Sequence, residues 1–370
     1  MKKILVLFLA LALAFACLAS CGEEESSAPV SEAPSEASEP VSEISEENQE
    51  SSVPEEMKDY DFDNISYDVS ENIGAPENIE KCEMQLLHAT ESVYRFNYET
   101  EAGLMSMTFT EKDWGTYNLG AWSLTEKDTN NKAIFVTGST DMEYVYRAAP
   151  AGSTEWVWSG GNHGNEKLVS LEFFDDISGE KINIEEGDEL WFDRIKIVEK
   201  TKLHYGDEND TYCDVIRTYR IAGQQVTLNV DYKYTKDCRF YLSYTCMFPI
   251  EKKYGLWADM YGIDGKKLTT IETSRVGKAD YSGPSNSGNA ASRVVVYGEG
   301  SDRYSFDVRV NTWKDSVNDF DNDYKTAFWD MNTTSNKIYF SKYFIDKPTD
   351  IKKGTEFHTE CVWRFCIDGK

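Results

Sequence analysis

The residues with the most chemistry to offer sit in one short run, Ser159-Gly160-Gly161-Asn162-His163-Gly164-Asn165-Glu166. Glycines let a backbone turn tightly and let a ligand come close. The chain holds only four histidines, and this one lies inside a Gly-rich turn. His163 and Glu166 have the His-x-x-Glu spacing that can set an imidazole and a carboxylate on one zinc ion. The same run also reads as a plain hairpin turn. Just before it, Trp156 and Trp158 are two apart, so both point to one face of a strand. Exposed beside Asn162 and Glu166 they would stack on sugar rings; turned inward they would fill a core.

A second set lies along Leu190–Tyr205, which reads as one strand. Arg194, Lys196, Lys200, Lys202 and His204 fall on one face, interrupted only by Val198, and Ile195, Ile197, Thr201 and Leu203 fall on the other. A basic stripe in an acidic chain suits an anionic polysaccharide such as a polyuronate. The turn Gly206-Asp207-Glu208-Asn209-Asp210 folds Tyr212–Ile221 back as a hairpin. If Tyr205 pairs with Thr211, His204 faces Tyr212 and Lys196 faces Arg220. His, Tyr, Arg and Lys on one face resemble the working set of β-sandwich polysaccharide lyases. In those enzymes a base removes the proton α to a uronate carboxylate while cations or amides neutralise that carboxylate. The resemblance implies proton transfer by His163, His204 or Tyr212, with Arg194, Lys196 and Arg220 on the carboxylate. A one-residue slip destroys the arrangement. The other reading is a solvated face paired with nearby Asp and Glu.

Gly161-Asn162-His163-Gly164-Asn165-Glu166 also resembles the Gly-x-His-Gly-Asn-Glu zinc motif of the succinylglutamate desuccinylase and aspartoacylase family. That resemblance implies a zinc-dependent deacylase or peptidase with His163 and Glu166 as ligands. The family is α/β with a helix after the motif, whereas Leu168–Phe174 here reads as a strand. Asp319, Asp321 and Asp323 offer alternating carboxylates for a structural calcium ion, with Asp330 where a helical calcium loop has its last ligand. Tyr324 stands where such a loop has its turn Gly, so a solvated acidic loop is the competing reading. Neither a Gly-x-Ser-x-Gly elbow nor a Gly-rich phosphate loop is present.

The elements that must position these residues read as strands. β-branched and aromatic runs recur at Val93–Tyr98, Met105–Phe109, Ala133–Val136, Tyr144–Tyr146, Leu168–Phe174, Leu190–Tyr205, Tyr212–Ile221, Val226–Tyr234, Phe240–Phe248, Arg293–Tyr297, Tyr304–Val310, Lys337–Phe344 and Phe357–Cys366. Val226, Leu228, Val230, Tyr232 and Tyr234 alternate with polar residues, as a half-buried strand requires. No long 3.6 periodicity follows Met57, which argues against α/β classes and their crossover helices. The expected fold is all-β, a large β-sandwich or jelly-roll-like domain over residues 58–370, in one sandwich or two sub-sandwiches.

Ahead of it, Lys2 and Lys3 precede the apolar run Ile4–Leu18, the pattern of a secretory signal. Leu18-Ala19-Ser20-Cys21 resembles the lipobox of bacterial lipoproteins. It implies removal of residues 1–20, lipidation of Cys21 and anchorage to the cell membrane outside the cytoplasm. The linker to Met57 carries 12 Glu and no Lys or Arg. It cannot bury enough apolar surface to fold, and it reads as a disordered tether spanning roughly 33 Å. The whole chain carries −27; with +2 in the signal and −12 in the linker, −17 remains on the domain. An acidic fold is a poor nucleic-acid binder. The six cysteines after Cys21 permit three disulfides outside the cell or remain as buried thiols. Cys238 and Cys246 cannot pair if they share a strand, since eight residues span roughly 26 Å. These features lead to a surface lipoprotein that binds extracellular glycan, with elimination as the chemistry if it also cleaves. The alternatives are the zinc hydrolase and a non-enzymatic adhesion or assembly protein.

Overall fold

The computed structural model describes residues 83–136, 143–262, 265–273, 281–282, 291–310, 325–330, 334–343 and 348–368. The signal and linker, Cys21, Cys82 and the trio Asp319, Asp321 and Asp323 lie outside the described residues.

The described residues open with an antiparallel meander, β1 (Met84–Thr90), β2 (Val93–Glu99), β3 (Gly103–Glu111), β4 (Tyr117–Glu126) and β5 (Lys132–Val136). It crosses to a second sheet for β6 (Glu143–Pro150) and β7 (Val157–Ser159), then to a third for β8 (Glu166–Asp175) and β9 (Lys181–Ile182). β10 (Glu189–Phe192) returns to pair with β1. β11 (Ile195–His204), β12 (Thr211–Ala222) and β13 (Gln225–Tyr234) widen the third sheet, and β14 (Cys238–Glu251) joins the second. β15 (Trp257–Tyr261) and β16 (Lys267–Glu272) belong to the third sheet, β17 (Tyr281–Ser282) to the second. β18 (Arg293–Tyr297) and β19 (Tyr304–Val310) are again in the third; β20 (Lys325–Asp330), β21 (Ser335–Tyr343) and β22 (Thr349–Ile351) are in the second. β23 (Glu356–Ile367) closes the chain between β19 and β13. Among the described residues the sheets hold six, seven and ten strands.

The ten-stranded sheet is one layer of a large sandwich, and the other two sheets cover its inner face. Phe109 meets Tyr219 at 5.2 Å, Trp122 meets Phe306 at 5.2 Å and Phe135 meets Phe365 at 5.0 Å. From the seven-stranded sheet, Tyr146 meets Tyr232 at 5.2 Å and Phe248 meets Phe306 at 4.9 Å. Period-two patterning produces this core. Val226, Leu228, Val230, Tyr232 and Tyr234 are buried while Asp231 and Lys233 are exposed. On β12, Cys213, Val215, Arg217, Tyr219 and Ile221 face inward. The all-β sandwich read from the sequence is therefore the fold.

One reading changes. Leu190–Tyr205 is two strands in different sheets: β10 ends at Phe192, and the chain bends through Asp193 and Arg194 before β11 enters the ten-stranded sheet. The described cysteines, Cys213, Cys238, Cys246, Cys361 and Cys366, are all free and buried. Cys238 and Cys246 share β14, where strand geometry keeps them apart.

Candidate functional site

The Gly-rich run forms a closed turn. A short 3-10 segment, Gly161–His163, is held by bonds from Gly160 N to Gly164 O at 3.0 Å and from His163 N to Gly160 O at 3.1 Å. Two glycines are required by space as well as by backbone angle. At Gly160, with φ 85°, a Cβ would lie 2.7 Å from the Tyr144 ring; at Gly164, with φ 65°, it would press on Trp114 at 3.3 Å. Asn165, also at positive φ, donates to Trp158 O at 2.7 Å, and Lys112 Nζ donates to Asn162 Oδ1 at 2.8 Å.

This turn sets His163 flat on Trp158, with centroids 4.8 Å apart and planes 18° apart. β6 lies between β7 and β14, which puts Arg147 opposite Trp158 on one side and Leu242 on the other. A bulge between Phe240 and Leu242 frees Tyr241 to rise beside Arg147. The Arg147 guanidinium lies 5.3 Å from the Trp158 ring and 5.0 Å from the Tyr241 ring, and Trp156 packs on Tyr241 at 4.9 Å. The result is a continuous row, Trp156, Tyr241, Arg147, Trp158, His163. Its Trp156, Trp158 and Tyr241 rings are partly buried and His163 is exposed, and Trp158 and Tyr241 rest on the buried cluster Val145, Leu242, Tyr244, Met247 and Tyr339. Arg147 forms no ion pair among the described residues, and its Nε has no hydrogen-bond partner there.

Glu166 leaves the turn in the opposite direction from His163. It is 1% exposed; its Oε1 accepts from Tyr144 Oη at 2.6 Å and Thr201 Oγ1 at 2.5 Å. It faces Arg217 Nη2 at 3.5 Å. Imidazole at the surface and carboxylate in the core do not converge on one ion, which corrects the zinc pairing of His163 with Glu166. Glu166 also has no face toward a surface ligand.

Arg217 is the centre of a buried network that the sequence reading missed. Its Nη1 meets Glu143 Oε2 and its Nη2 meets Glu199 Oε2, each at 2.7 Å. Glu199 Oε1 accepts from Tyr117 N at 2.8 Å; Glu143 accepts from Leu119 N at 3.0 Å and Asn118 Nδ2 at 2.6 Å. Three carboxyls thus share one guanidinium away from water. Burial pushes Glu199 up to about 8 and raises Glu143 as well, Arg217 only partly opposing the effect. The signal was available: Glu199 and Arg217 occupy inward positions of β11 and β12 and are directly opposed.

The lyase-like set does not assemble. Lys196 does face Arg220, as expected, but the hairpin slips between Leu203 and His204, so His204 pairs with Thr211. Both presumed acid–base groups turn inward. Tyr212 is fully buried, donates to Ser159 Oγ at 3.1 Å and has its phenol pushed well above the usual range by burial. His204 is buried, and burial lowers its pKa; its Nδ1 accepts from Gly206 N at 3.2 Å, which fixes the neutral tautomer. The cations of the stripe are largely committed. Arg194 and Arg220 both clamp Asp176, at 2.6 and 3.2 Å. Lys202 holds Asp214 at 2.5 Å, and Lys196 sits 4.7 Å over Phe174.

No known protein family and no curated protein matches the chain. Among solved structures it is similar to GH36 α-galactosidase AgaB of Geobacillus stearothermophilus, with 9% identity, 74% of this chain, 40% of that one and a TM-score of 0.45. The α-galactosidase of Lactobacillus brevis gives 8% identity, 76% and 41% coverage and a TM-score of 0.46. The Slr1438 protein of Synechocystis sp. PCC 6803 gives 6% identity, 74% and 96% coverage and a TM-score of 0.41. The chain spans about two fifths of the length of the α-galactosidases it matches.

Proposed function

We propose that this chain is a lipid-anchored extracytoplasmic lipoprotein whose sandwich binds extracellular glycan along the row from Trp156 to His163. The row carries the reading. Indole and phenol rings present flat apolar faces with polar edges, the surface on which sugar rings stack. The Arg147 guanidinium between them supplies donors fixed in direction by the two rings it touches. Asn162, at the His163 end, adds an amide, and the Lys112 bond holds it in place. The lipobox-like Leu18–Cys21 supports placement outside the cell, where such polymers occur. Of the proton-transfer groups weighed in the sequence, His163 alone stays at the surface, so the row is read as a binding surface, without eliminative cleavage.

Affinity electrophoresis of the full chain through gels carrying neutral or uronic polysaccharides tests this reading. Retardation by at least one neutral glycan is expected, weakened about tenfold in Trp158→Ala and in Trp156→Ala, with no rise in unsaturated-uronate absorbance. Unchanged migration on every glycan, or retardation indifferent to both substitutions, would sink it. Absorbance growth lost in His163→Ala would replace binding by catalysis.

A further inference from the structure

The outer face of the six-stranded sheet carries a second concavity, far simpler in composition than the aromatic row. A groove of about 280 Å³ runs over β2, β3, β4 and β5, floored by Ser106, Thr108, Ser123 and Thr125 and flanked by Arg95 and Lys132. Small side chains create it. Gly120 admits Thr108 so closely that a Cβ there would lie 2.9 Å from its Oγ1, and Thr108 is fixed by accepting from Ala121 N at 2.9 Å. Ser123 faces outward between Ser106 and Ile134, yet the groove walls leave it only 5% exposed. Its hydroxyl has no hydrogen-bond partner among the described residues, although it lines the cavity. A small hydroxyl on the floor of an open groove, still reachable by water, can donate to or accept from a ligand there.

The charges specify that partner. The chain carries −27, but no carboxylate lines this groove. Arg95 and Lys132 are exposed and have no ion pair among the described residues. The register aligns Lys132 with Thr125, Leu104 and Glu99, so the two cations are three strands and four residues apart. With about 4.8 Å between strands and about 3.3 Å per residue, that is a diagonal of roughly 20 Å. No small anion bridges such a distance. A peptide strand is also a poor fit, because it pairs with a sheet edge through its backbone, and the groove lies on the sheet face, where β2, β3 and β4 are paired on both sides and only β5 is an edge.

We propose that this groove binds an extended acidic polysaccharide of the polyuronate class. Arg95 and Lys132 meet carboxylates at either end, and Ser106, Ser123 and Thr125 hydrogen-bond the sugar hydroxyls between them. Two widely spaced cations over a neutral hydroxyl floor match a chain whose hydroxyls outnumber its charges. The site is separate from the aromatic row and stands or falls without it.

The test is binding of the full chain to polygalacturonate, with dextran sulfate as the charge control. The paired change Arg95→Gln with Lys132→Gln is expected to weaken polygalacturonate binding about tenfold. The pair Ser123→Ala with Thr125→Val, which removes the hydroxyls without adding bulk and keeps every charge, is expected to weaken it several-fold. Melting temperatures and Trp158-dependent retardation by neutral glycans should stay unchanged in both. Polygalacturonate binding indifferent to both pairs overturns the site. So does binding that needs only the charges and is matched by dextran sulfate, which would be general electrostatic adhesion. Loss of polygalacturonate binding in Trp158→Ala alone would assign the polymer to the aromatic row instead.

Discussion

A single arginine decides much of this core. Arg217 contacts three glutamates that come from β6, β8 and β11, and two of them, Glu143 and Glu199, also bond the backbone of β4. Removing it leaves these carboxyl groups in the interior without their cationic partner. Arg217→Ala is expected to cost about 3–5 kcal/mol in chemical denaturation, as breaking a buried pair does. The cluster also fixes the sign of the pH dependence. Glu199 rises from 4.5 to about 8, so the folded protein keeps a proton that the unfolded chain releases. Stability is therefore greatest below about pH 4.5, as far as this group is concerned, and falls as pH rises toward 8, by up to about 1.4 kcal/mol per unit. Glu199→Gln, neutral at every pH, should flatten that slope in urea titrations between pH 5 and 8; an unchanged slope would show that Glu199 is not the group responsible.

Among the elements, the His163 turn joins β7 to β8 and holds one end of the aromatic row in place. Gly160→Ala forces a methyl into the Tyr144 ring at a positive φ. A loss of about 1–3 kcal/mol is expected, together with weaker glycan retardation, because His163 leaves its place on Trp158. Wild-type stability in that variant would mean that the turn is pliable. The elements also show what a sequence makes legible. β13 was readable because the alternation of a half-buried strand runs through it unbroken, and β23 because its run is rich in aromatic and β-branched residues. β4 was hidden because Gly120 and Ala121 interrupt its pattern, and the reason for that glycine is a contact with Thr108 on another strand. β10 and β11 were fused because no Gly or Pro marks the bend at Asp193 and Arg194. At the site, Trp156, Trp158, Asn162 and His163 were identified by local spacing. Arg147 and Tyr241 join them only through strand pairing and a bulge, which no local pattern records.

At the scale of the whole molecule, the core does without covalent staples among the described residues. The five described cysteines are buried thiols, and burial pushes Cys238 up to about 12 and Cys213 and Cys361 well above their usual value. A thiol that does not ionise neither attacks nor exchanges. The melting temperature is thus expected to be the same with and without reductant, and these thiols should react with a disulfide reagent only after unfolding. A drop of several degrees in reductant would expose a bridge. The strand order has a further consequence. β1 is the first described strand, and it lies inside its sheet, bonded to β10 from Met84 to Leu87 and to β2 from Met84 to Thr90. A pull on the preceding chain along the β1 axis loads both ladders together in shear, whereas an edge strand would peel away rung by rung. The sandwich is therefore mechanically braced at the point where tension from a surface tether would enter it.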